Sequence, residues 1–184
     1  MVVIRPLSET NRDAFLDFMA TKAFETNPKW AGCYCQFYLD AQVDVEGIEL
    51  TAERNRQVAC DRIAAGKMKG YLAYEGDEVV GWVAANKGNN FAQLEQTSEE
   101  TARILCFVIE PQHQGQGVAT ALLNFAIEDL SSQGFKSVEA APRVDEGFSA
   151  SGYRGKLSMF AATGFEIVTP LDEQHVLVRR KLTA

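Results

Sequence analysis

The amino-acid sequence predicts a mixed α/β fold whose sheet contains at least one parallel crossover. Two strand-like runs flank the turn residues "EGDE" (75–78), which is a strong hairpin signal. An almost continuous apolar run, "ARILCFVIEP" (102–111), leads through a glycine turn into the helical pattern "GVATALLNFAIEDLSSQG" (117–134), and another strand-like run follows. A strand, a helix and a second strand in this order are typical of a parallel βαβ unit.

The first half of the chain is predicted to contain one strand, two helices and the hairpin. "MVVIRPL" (1–7) is strand-like, and "SETNRDAFLDFMATKAF" (8–24) has polar starters followed by apolar residues on one helical side. The segment "ETNPKWAGCYCQFYLDA" (25–41) is predicted as a loop, because a proline and a glycine interrupt regular structure there. "TAERNRQVACDRIAAGK" (51–67) is a second, weaker helix.

The second half is predicted to contain a buried central strand, two helices and three further strands. Pro111 bounds the central strand, whose unbroken apolar character is typical of a strand covered on both faces. Gly134 is placed to end the long helix. The remaining elements are a strand in "FKSVEAAPRV" (135–144), a loop in "DEGFSASGYRG" (145–155), a short helix in "KLSMFAATG" (156–164), and strands in "FEIVTPL" (165–171) and "HVLVRRKL" (175–182).

Length and composition favour an ordinary globular protein with one domain over residues 1–184. No apolar run approaches the ~20 residues that span a bilayer, so no membrane partner is expected, and the polar N-terminal segment makes a cytoplasmic location the default. The formal net charge of −7 argues against nucleic acid, whose binding needs clustered Lys and Arg. It is compatible with a cationic substrate, although many proteins are acidic for solubility alone.

The four cysteines do not predict a metal site. Cys33 and Cys35 form a C-x-C pair that would need two further ligands, and the only histidines are His113 in the glycine turn and His175 in a late strand. Cys60 and Cys106 are predicted to be small buried apolar residues, and the role of the C-x-C pair stays open.

The glycine turn "HQGQGVATALL" (113–123) is the clearest candidate for a binding site. The first N–H groups of a helix have no intrahelical partner and carry partial positive charge, and glycine at 115 and 117 leaves them open to an anion. A plain tight turn between strand and helix is the alternative interpretation. A third glycine for a dinucleotide fingerprint and a Gly-Lys-Ser/Thr sequence for a P-loop are both missing.

The stretch Gln114-Gly115-Gln116-Gly117-Val118-Ala119 resembles the Q/R-x-x-G-x-G/A signature of the GCN5-related N-acetyltransferases, the GNAT superfamily. The preceding "FVIEP", the following "ATALL" and the later "LSMFAATGFEIV" agree with that family, and the element order resembles its fold across essentially the whole chain. The W-x-x-C-Y-C pattern and "YRGKLSMF" resemble a little-characterised bacterial subset. The resemblance implies a mixed, mostly antiparallel central sheet with a parallel crossover, flanked by about four helices.

The resemblance also implies acetyl-CoA as cosubstrate and an amine of a small molecule or peptide as acceptor. The implied cofactor-binding residues are those of the turn and of the strand before it: Phe107, Val108, Ile109, Gln114, Gly115, Gln116, Gly117, Val118, Ala119 and Thr120. The turn would hold the pyrophosphate, and the strand backbone would pair with the pantetheine arm and polarise the thioester carbonyl. A homodimer is possible, because this fold often pairs through its late strands.

At the catalytic positions the sequence departs from the family pattern. Many members carry a proton-donating tyrosine where this chain has Phe160, and Tyr153 is the substitute acid that we predict. Glu139 interrupts an apolar strand and is predicted as a substrate contact or as a base acting through water. The alternatives are a loop tyrosine that packs on a ligand and a carboxylate that pairs with a basic residue.

Trp30 and Tyr34 are predicted to bind the acceptor, because their aromatic segment falls where family members build the acceptor pocket. An aromatic cluster that anchors a long loop is the alternative. The sequence therefore favours an N-acetyltransferase that works by direct attack in a ternary complex. A non-catalytic acyl-CoA sensor with the same fold is the second candidate, and Phe160 is the residue that favours it.

Overall fold

A seven-stranded mixed sheet forms the centre of the protein, seen in a computed structural model that describes residues 2–40, 51–144 and 153–183. The strands are β1 (Val3–Pro6), β2 (Gly70–Glu75), β3 (Glu78–Lys87), β4 (Thr101–Ile109), β5 (Ser137–Ala140), β6 (Glu166–Pro170) and β7 (Val176–Lys181). The helices are α1 (Arg12–Thr21), α2 (Ala52–Ala64), α3 (Val118–Ser132) and α4 (Leu157–Ala162).

The strand order is β1-β2-β3-β4-β5-β7-β6, and only the β4–β5 pair is parallel. Helix α3 makes the crossover between these two strands, as a parallel pair requires. The predicted fold class, a mostly antiparallel sheet with one parallel crossover and about four helices, is therefore confirmed.

Helices cover both faces of the sheet and divide the core into two apolar clusters. Helix α1 packs on one face, where the ring of Phe15 lies 4.7 Å from that of Trp82. Helix α3 packs on the other face through Leu122 and Leu123, which are fully buried. Strand β4 contributes to both clusters, as the unbroken apolar run predicts.

Two predicted elements differ in extent from the observed ones. The first helix begins at Arg12, because residues 9–11 form a 3₁₀ turn before it. Strand β5 has four residues, fewer than the predicted strand over residues 135–144. Most of the predicted loop over residues 145–155 lies outside the described residues. No helix in the described part of the chain is long and apolar enough to cross a membrane.

Candidate active site

Strands β4 and β5 separate near their carboxyl ends and leave a gap in the sheet. Their pairing covers Thr101–Ser137, Ala102–Val138 and Arg103–Glu139 and then stops, while β4 continues beside β3 as far as Ile109. Half of β4 therefore has one edge that β5 does not cover. Free backbone groups at such an edge can pair with an extended ligand.

A β-bulge at Cys106 turns the backbone of β4 toward this gap. The register against β3 shifts between Trp82 and Ala84, and Cys106 has a φ of 57°, in the left-handed region. For a residue other than glycine this conformation costs about 1–2 kcal/mol. The bulge leaves the N–H of Phe107 pointing away from β3, where a carbonyl oxygen outside the sheet accepts its hydrogen bond.

That carbonyl belongs to a short segment, residues 153–156, which we call the strap. The N–H of Phe107 donates to the carbonyl oxygen of Tyr153 at 2.6 Å, and the N–H of Arg143 donates to that of Gly155 at 3.2 Å. The strap thus lies between β4 and the chain that follows β5. Gly155 has a φ of 77°, and a Cβ there would lie 2.9 Å from Met159 Cε and 3.0 Å from a ring carbon of Phe160, so both the backbone conformation and the close seating of the strap favour glycine.

The glycine turn presents an open set of backbone donors beside the gap. Gly115 and Gly117 have φ values of 73° and 84°, and a Cβ at either position would meet nothing within 4 Å. Among the described residues, none accepts a hydrogen bond from the six backbone N–H groups of residues 115–120. The side chain of Gln114 bridges back to β4 by donating to the carbonyl of Ile109 at 3.2 Å. The turn therefore has the open donors and space that an anion needs at a helix start.

The residues of the predicted cofactor-binding set differ in burial and in whether their backbone donors are free. The side chain of Val118 is buried in the core, whereas residues 114–117 and Thr120 are exposed. Val108 pairs with Trp82 of β3, so that part of β4 is committed to the sheet. The turn thus has open backbone donors, whereas the N–H of Phe107 points into the gap but is engaged by the carbonyl of Tyr153, and the assignment of the whole set stays a prediction.

An aromatic cavity of about 50 Å³ lies on the α1 side of the gap. Its lining residues are Phe24, Trp30, Cys33, Cys35, Phe37, Tyr38, Cys106, Tyr153 and Arg154. Trp30 therefore lines a cavity beside the gap, and its predicted role in binding the acceptor stays a prediction. Tyr34 does not line the cavity; it is 7% exposed, packs in the core, and has a φ of 46°. The predicted contact of Tyr34 with the acceptor stays a prediction.

Arg154 is the charged residue among the described lining residues, and Tyr38 holds its side chain. Its Nε donates to the Tyr38 hydroxyl at 2.9 Å, and the guanidinium carbon lies 5.5 Å from the centroid of the same ring. Burial raises the pKa of Tyr38, so this phenol stays neutral near pH 7. No described carboxylate pairs with Arg154, which leaves both terminal nitrogens without an ionic partner in that part of the chain.

Tyr153 touches the gap with its backbone and the cavity with its ring. The ring packs edge-on against Phe24 and Trp30, and the hydroxyl has a hydrogen bond to the side chain of Asn27. Burial raises the pKa of Tyr153 to about 12. Complete proton transfer to a thiolate of pKa about 8.5 is then uphill by roughly 5 kcal/mol, so the hydroxyl is better suited to donating a hydrogen bond than a proton. The predicted acid role of Tyr153 stays a prediction.

Phe160 stands where many family members have a proton-donating tyrosine, and it presents no polar atom to the gap. It is fully buried and packs edge-on against Phe107 and Phe165 at ring distances of 5.9 and 5.1 Å. Its ring therefore supports the strand and strap from the α3 side of the sheet.

Glu139 is held between two arginines on the neighbouring strands. It is 2% exposed; Arg103 donates to one carboxylate oxygen at 3.2 Å, and Arg179 donates to the other at 3.1 and 2.6 Å. These three residues are register partners across β4, β5 and β7. The geometry matches the alternative of a paired carboxylate. The predicted role as base stays a prediction, with both oxygens already engaged.

The cysteines near the cavity form no metal site within the described ranges, where no group of three His, Cys, Asp or Glu side chains comes together. Cys33, Cys35 and Cys106 are buried free thiols, and Cys60 is partly exposed, less buried than predicted. Burial raises the pKa of Cys33 to about 12, and a hydrogen bond with Cys35, together with burial, raises that of Cys106. Cys33 and Cys106 are therefore weak nucleophiles near neutral pH, whereas the hydrogen bond with Cys106 lowers the pKa of Cys35.

Sequence reasoning missed the bulge at Cys106 and the seating of the strap. A bulge in an apolar strand leaves no compositional signal, and the strap depends on pairing between residues far apart in the chain. The glycine of "YRGK", Gly155, has a φ of 77°, a left-handed conformation that favours glycine. In the sequence alone, however, a glycine in a loop-like segment has many explanations.

Comparison with known proteins supports one family. The model of the acetyltransferase (GNAT) family matches residues 30–153. A GCN5-related N-acetyltransferase from Kribbella flavida has a TM-score of 0.63 at 18% identity, covering 98% of each chain. The PaiA N-acetyltransferase from Thermoplasma acidophilum, solved in complex with coenzyme A, has a TM-score of 0.61 at 14% identity, covering 98% of this chain and 99% of that one.

The ribosomal-protein-S18-alanine N-acetyltransferase from Escherichia coli is also similar, with a TM-score of 0.54 at 12% identity, covering 100% of this chain and 96% of that one. At these identities the structural likeness shows the fold. No curated protein sequence matched this chain.

Proposed function

The chain belongs to the acetyltransferase (GNAT) family, and from that premise we propose that it is an acetyl-CoA-dependent N-acetyltransferase. It moves the acetyl group to the amine of a small molecule or peptide by direct attack in a ternary complex. The observation that carries the proposal is the open row of six backbone N–H groups in residues 115–120, next to the edge of β4 that β5 does not cover.

The turn and the strand divide the binding of acetyl-CoA between them. The N–H groups of residues 115–120 bind the pyrophosphate, with the dipole of α3 adding partial positive charge. The pantetheine arm lies along the edge of β4 that β5 leaves free. No metal is assigned, since the chemistry needs none, and that expectation stays a prediction.

The bulge provides the group that activates the thioester. The N–H of Phe107 already donates to a carbonyl oxygen, that of Tyr153, so its direction suits a carbonyl acceptor. During the reaction it donates to the thioester oxygen in place of Tyr153 and stabilises the negative charge of the tetrahedral intermediate. The amine nitrogen forms the new C–N bond, the C–S bond breaks, and the CoA thiolate leaves while the amine proton passes to solvent or to the thiolate.

An acyl-CoA sensor without turnover is the second candidate, and the fully buried Phe160 favours it. The single-domain organisation, the cytoplasmic location and a possible homodimer stay predictions. The exposed edge strand β6 is where a second copy would pair, since its Ile167 and Val168 are 59% and 46% exposed.

Two measurements test the proposal. Acetyl-CoA at about 100 times its Kd is expected to raise the Tm by roughly 5–10 °C. Gly117→Ala should greatly reduce this rise, because its Cβ projects into the space of the phosphate. Gly66→Ala is the matched control, since Gly66 also has a left-handed φ, 65°, and open space around the missing Cβ.

The second measurement is the release of free thiol from acetyl-CoA in the presence of a panel of amines. Release above background with at least one amine is expected of the enzyme. A raised Tm with no release from any amine would favour the sensor, and an unchanged Tm in the intact protein would remove acyl-CoA binding altogether.

A further inference from the structure

We propose, building on the proposed function, that the acceptor is a small amine that carries a carboxylate, such as an amino acid of the size of glycine, alanine or β-alanine. Arg154 binds its carboxylate inside the aromatic cavity. The net charge of −7 made a cationic acceptor compatible with the sequence, but the charge inside the cavity has the opposite sign.

The cavity adjoins the point where the acetyl group would be held. Cys106, which lines it, directly precedes Phe107 on the bulge. Tyr153 lines it too, and the carbonyl of this residue accepts the hydrogen bond from the N–H of Phe107. An amine bound in the cavity thus lies beside Cys106, and the next residue in the chain, Phe107, carries the N–H assigned to the thioester oxygen.

The electrostatics of the lining select for an anion. Arg154 is the charged residue among the lining side chains that the structure describes, and none of these is a carboxylate. An ammonium group bound in this cavity would have the positively charged guanidinium of Arg154 as its nearest charged neighbour, which is unfavourable. A carboxylate would instead gain charge-assisted hydrogen bonds that offset its loss of hydration.

Tyr38 prepares Arg154 for this role. It takes the Nε hydrogen bond at 2.9 Å and stacks against the guanidinium, so the side chain is oriented before any ligand arrives. The two terminal nitrogens have no carboxylate partner among the described residues. A guanidinium held in this way is suited to a bidentate grip on a carboxylate.

The size of the cavity limits the acceptor. A buried water needs roughly 10–15 Å³ on the same measure, so about 50 Å³ accommodates roughly three to five non-hydrogen atoms. Glycine, with five non-hydrogen atoms, matches this limit, and alanine and β-alanine, with six, exceed it by one atom. Larger side chains would have to extend out of the cavity toward solvent.

The experiment compares matched acceptors in the thiol-release assay. Alanine and glycine should react, while ethylamine and alaninamide, which lack the carboxylate, should have KM values roughly 10- to 100-fold higher. Converting the carboxylate to an amide lowers the pKa of the neighbouring amine, so alaninamide offers more free amine at a given pH. A preference for alanine therefore cannot arise from amine basicity.

Variants assign the effect to Arg154. Arg154→Gln should raise the KM for alanine by a similar factor while leaving the reaction with alaninamide and the Tm rise with acetyl-CoA unchanged. Arg154→Lys should recover part of the loss. Arg12→Gln is the control, because Arg12 pairs with Asp13 on the surface of α1.

The Tm shift that alanine causes in the presence of CoA measures the binding of alanine itself. This measurement separates the carboxylate site from the proposed function. An Arg154-dependent shift without thiol release would support the carboxylate site and count against turnover. Thiol release with equal KM values for alanine and alaninamide would overturn the carboxylate site and leave the transferase intact. Loss of the acetyl-CoA shift in Arg154→Gln would also overturn it, by assigning Arg154 to a CoA phosphate.

Discussion

Replacing Glu139 by glutamine separates the structural from the catalytic interpretation of this carboxylate. The side chain of Arg103 is 10% exposed, so loss of the negative charge leaves its guanidinium buried and uncompensated. Arg179 is 45% exposed and can turn into solvent, so its contribution is small. Breaking a buried pair costs about 3–5 kcal/mol, and the lower end applies because Arg103 still donates to the carbonyls of Gly88 and Glu95.

A loss of about 3 kcal/mol corresponds to a fall in Tm of roughly 6–12 °C for a domain of this size. Thermal and urea denaturation of Glu139→Gln at pH 7 measure it, and thiol release per folded molecule measures activity. Glu99→Gln is the control, because Glu99 pairs with Lys87 at an exposed site and its loss should leave the Tm unchanged. Unchanged stability together with a large loss of turnover would refute the structural interpretation and restore Glu139 as a base.

Three further predictions follow from the strap and the cavity. Burial raises the pKa values of Cys33 and Tyr153 from 9.0 and 10.0 to about 12, so the unfolded chain loses these protons first. The urea midpoint should be flat below about pH 8 and fall as the pH rises from about 9 to 12, with a smaller fall in Cys33→Ala and Tyr153→Phe. A midpoint independent of pH would contradict the burial. If the Tyr153 hydroxyl assists departure of the thiolate, Tyr153→Phe should lower kcat much more than acetyl-CoA affinity, and equal turnover would remove the role. Gly155→Ala should speed hydrogen exchange at the N–H of Phe107, because its Cβ displaces the strap; Gly76→Ala, at an open turn with a φ of 61°, should not, and equal protection in both variants would show that the strap does not cover that amide.

The features that the sequence predicts well are those encoded by neighbouring residues. The hairpin around Gly76, the glycine turn and the four helices each depend on local turn chemistry or on spacing within one element. The partners of Glu139 lie 36 and 40 residues away, and no local pattern distinguishes a carboxylate between two arginines from one that faces a substrate. The aromatic segment predicted Trp30 and Tyr34 together, and spacing along the chain could not show that Tyr34 packs in the core while Trp30 lines the cavity.

The strap also indicates where the binding energy for acetyl-CoA would come from. A buried N–H without a partner costs about 1–3 kcal/mol, and the carbonyl of Tyr153 removes that cost for Phe107 in the free protein. When the thioester oxygen replaces this carbonyl, one acceptor is exchanged for another, and the net gain in hydrogen bonding in the ground state is small. The gain grows only as negative charge develops on the oxygen, so this contact favours the transition state over bound substrate. Within the proposed function, the N–H groups of residues 115–120 differ in this respect, because they have no protein partner to give up within the described chain, so their hydrogen bonds to the pyrophosphate would add to the affinity for acetyl-CoA.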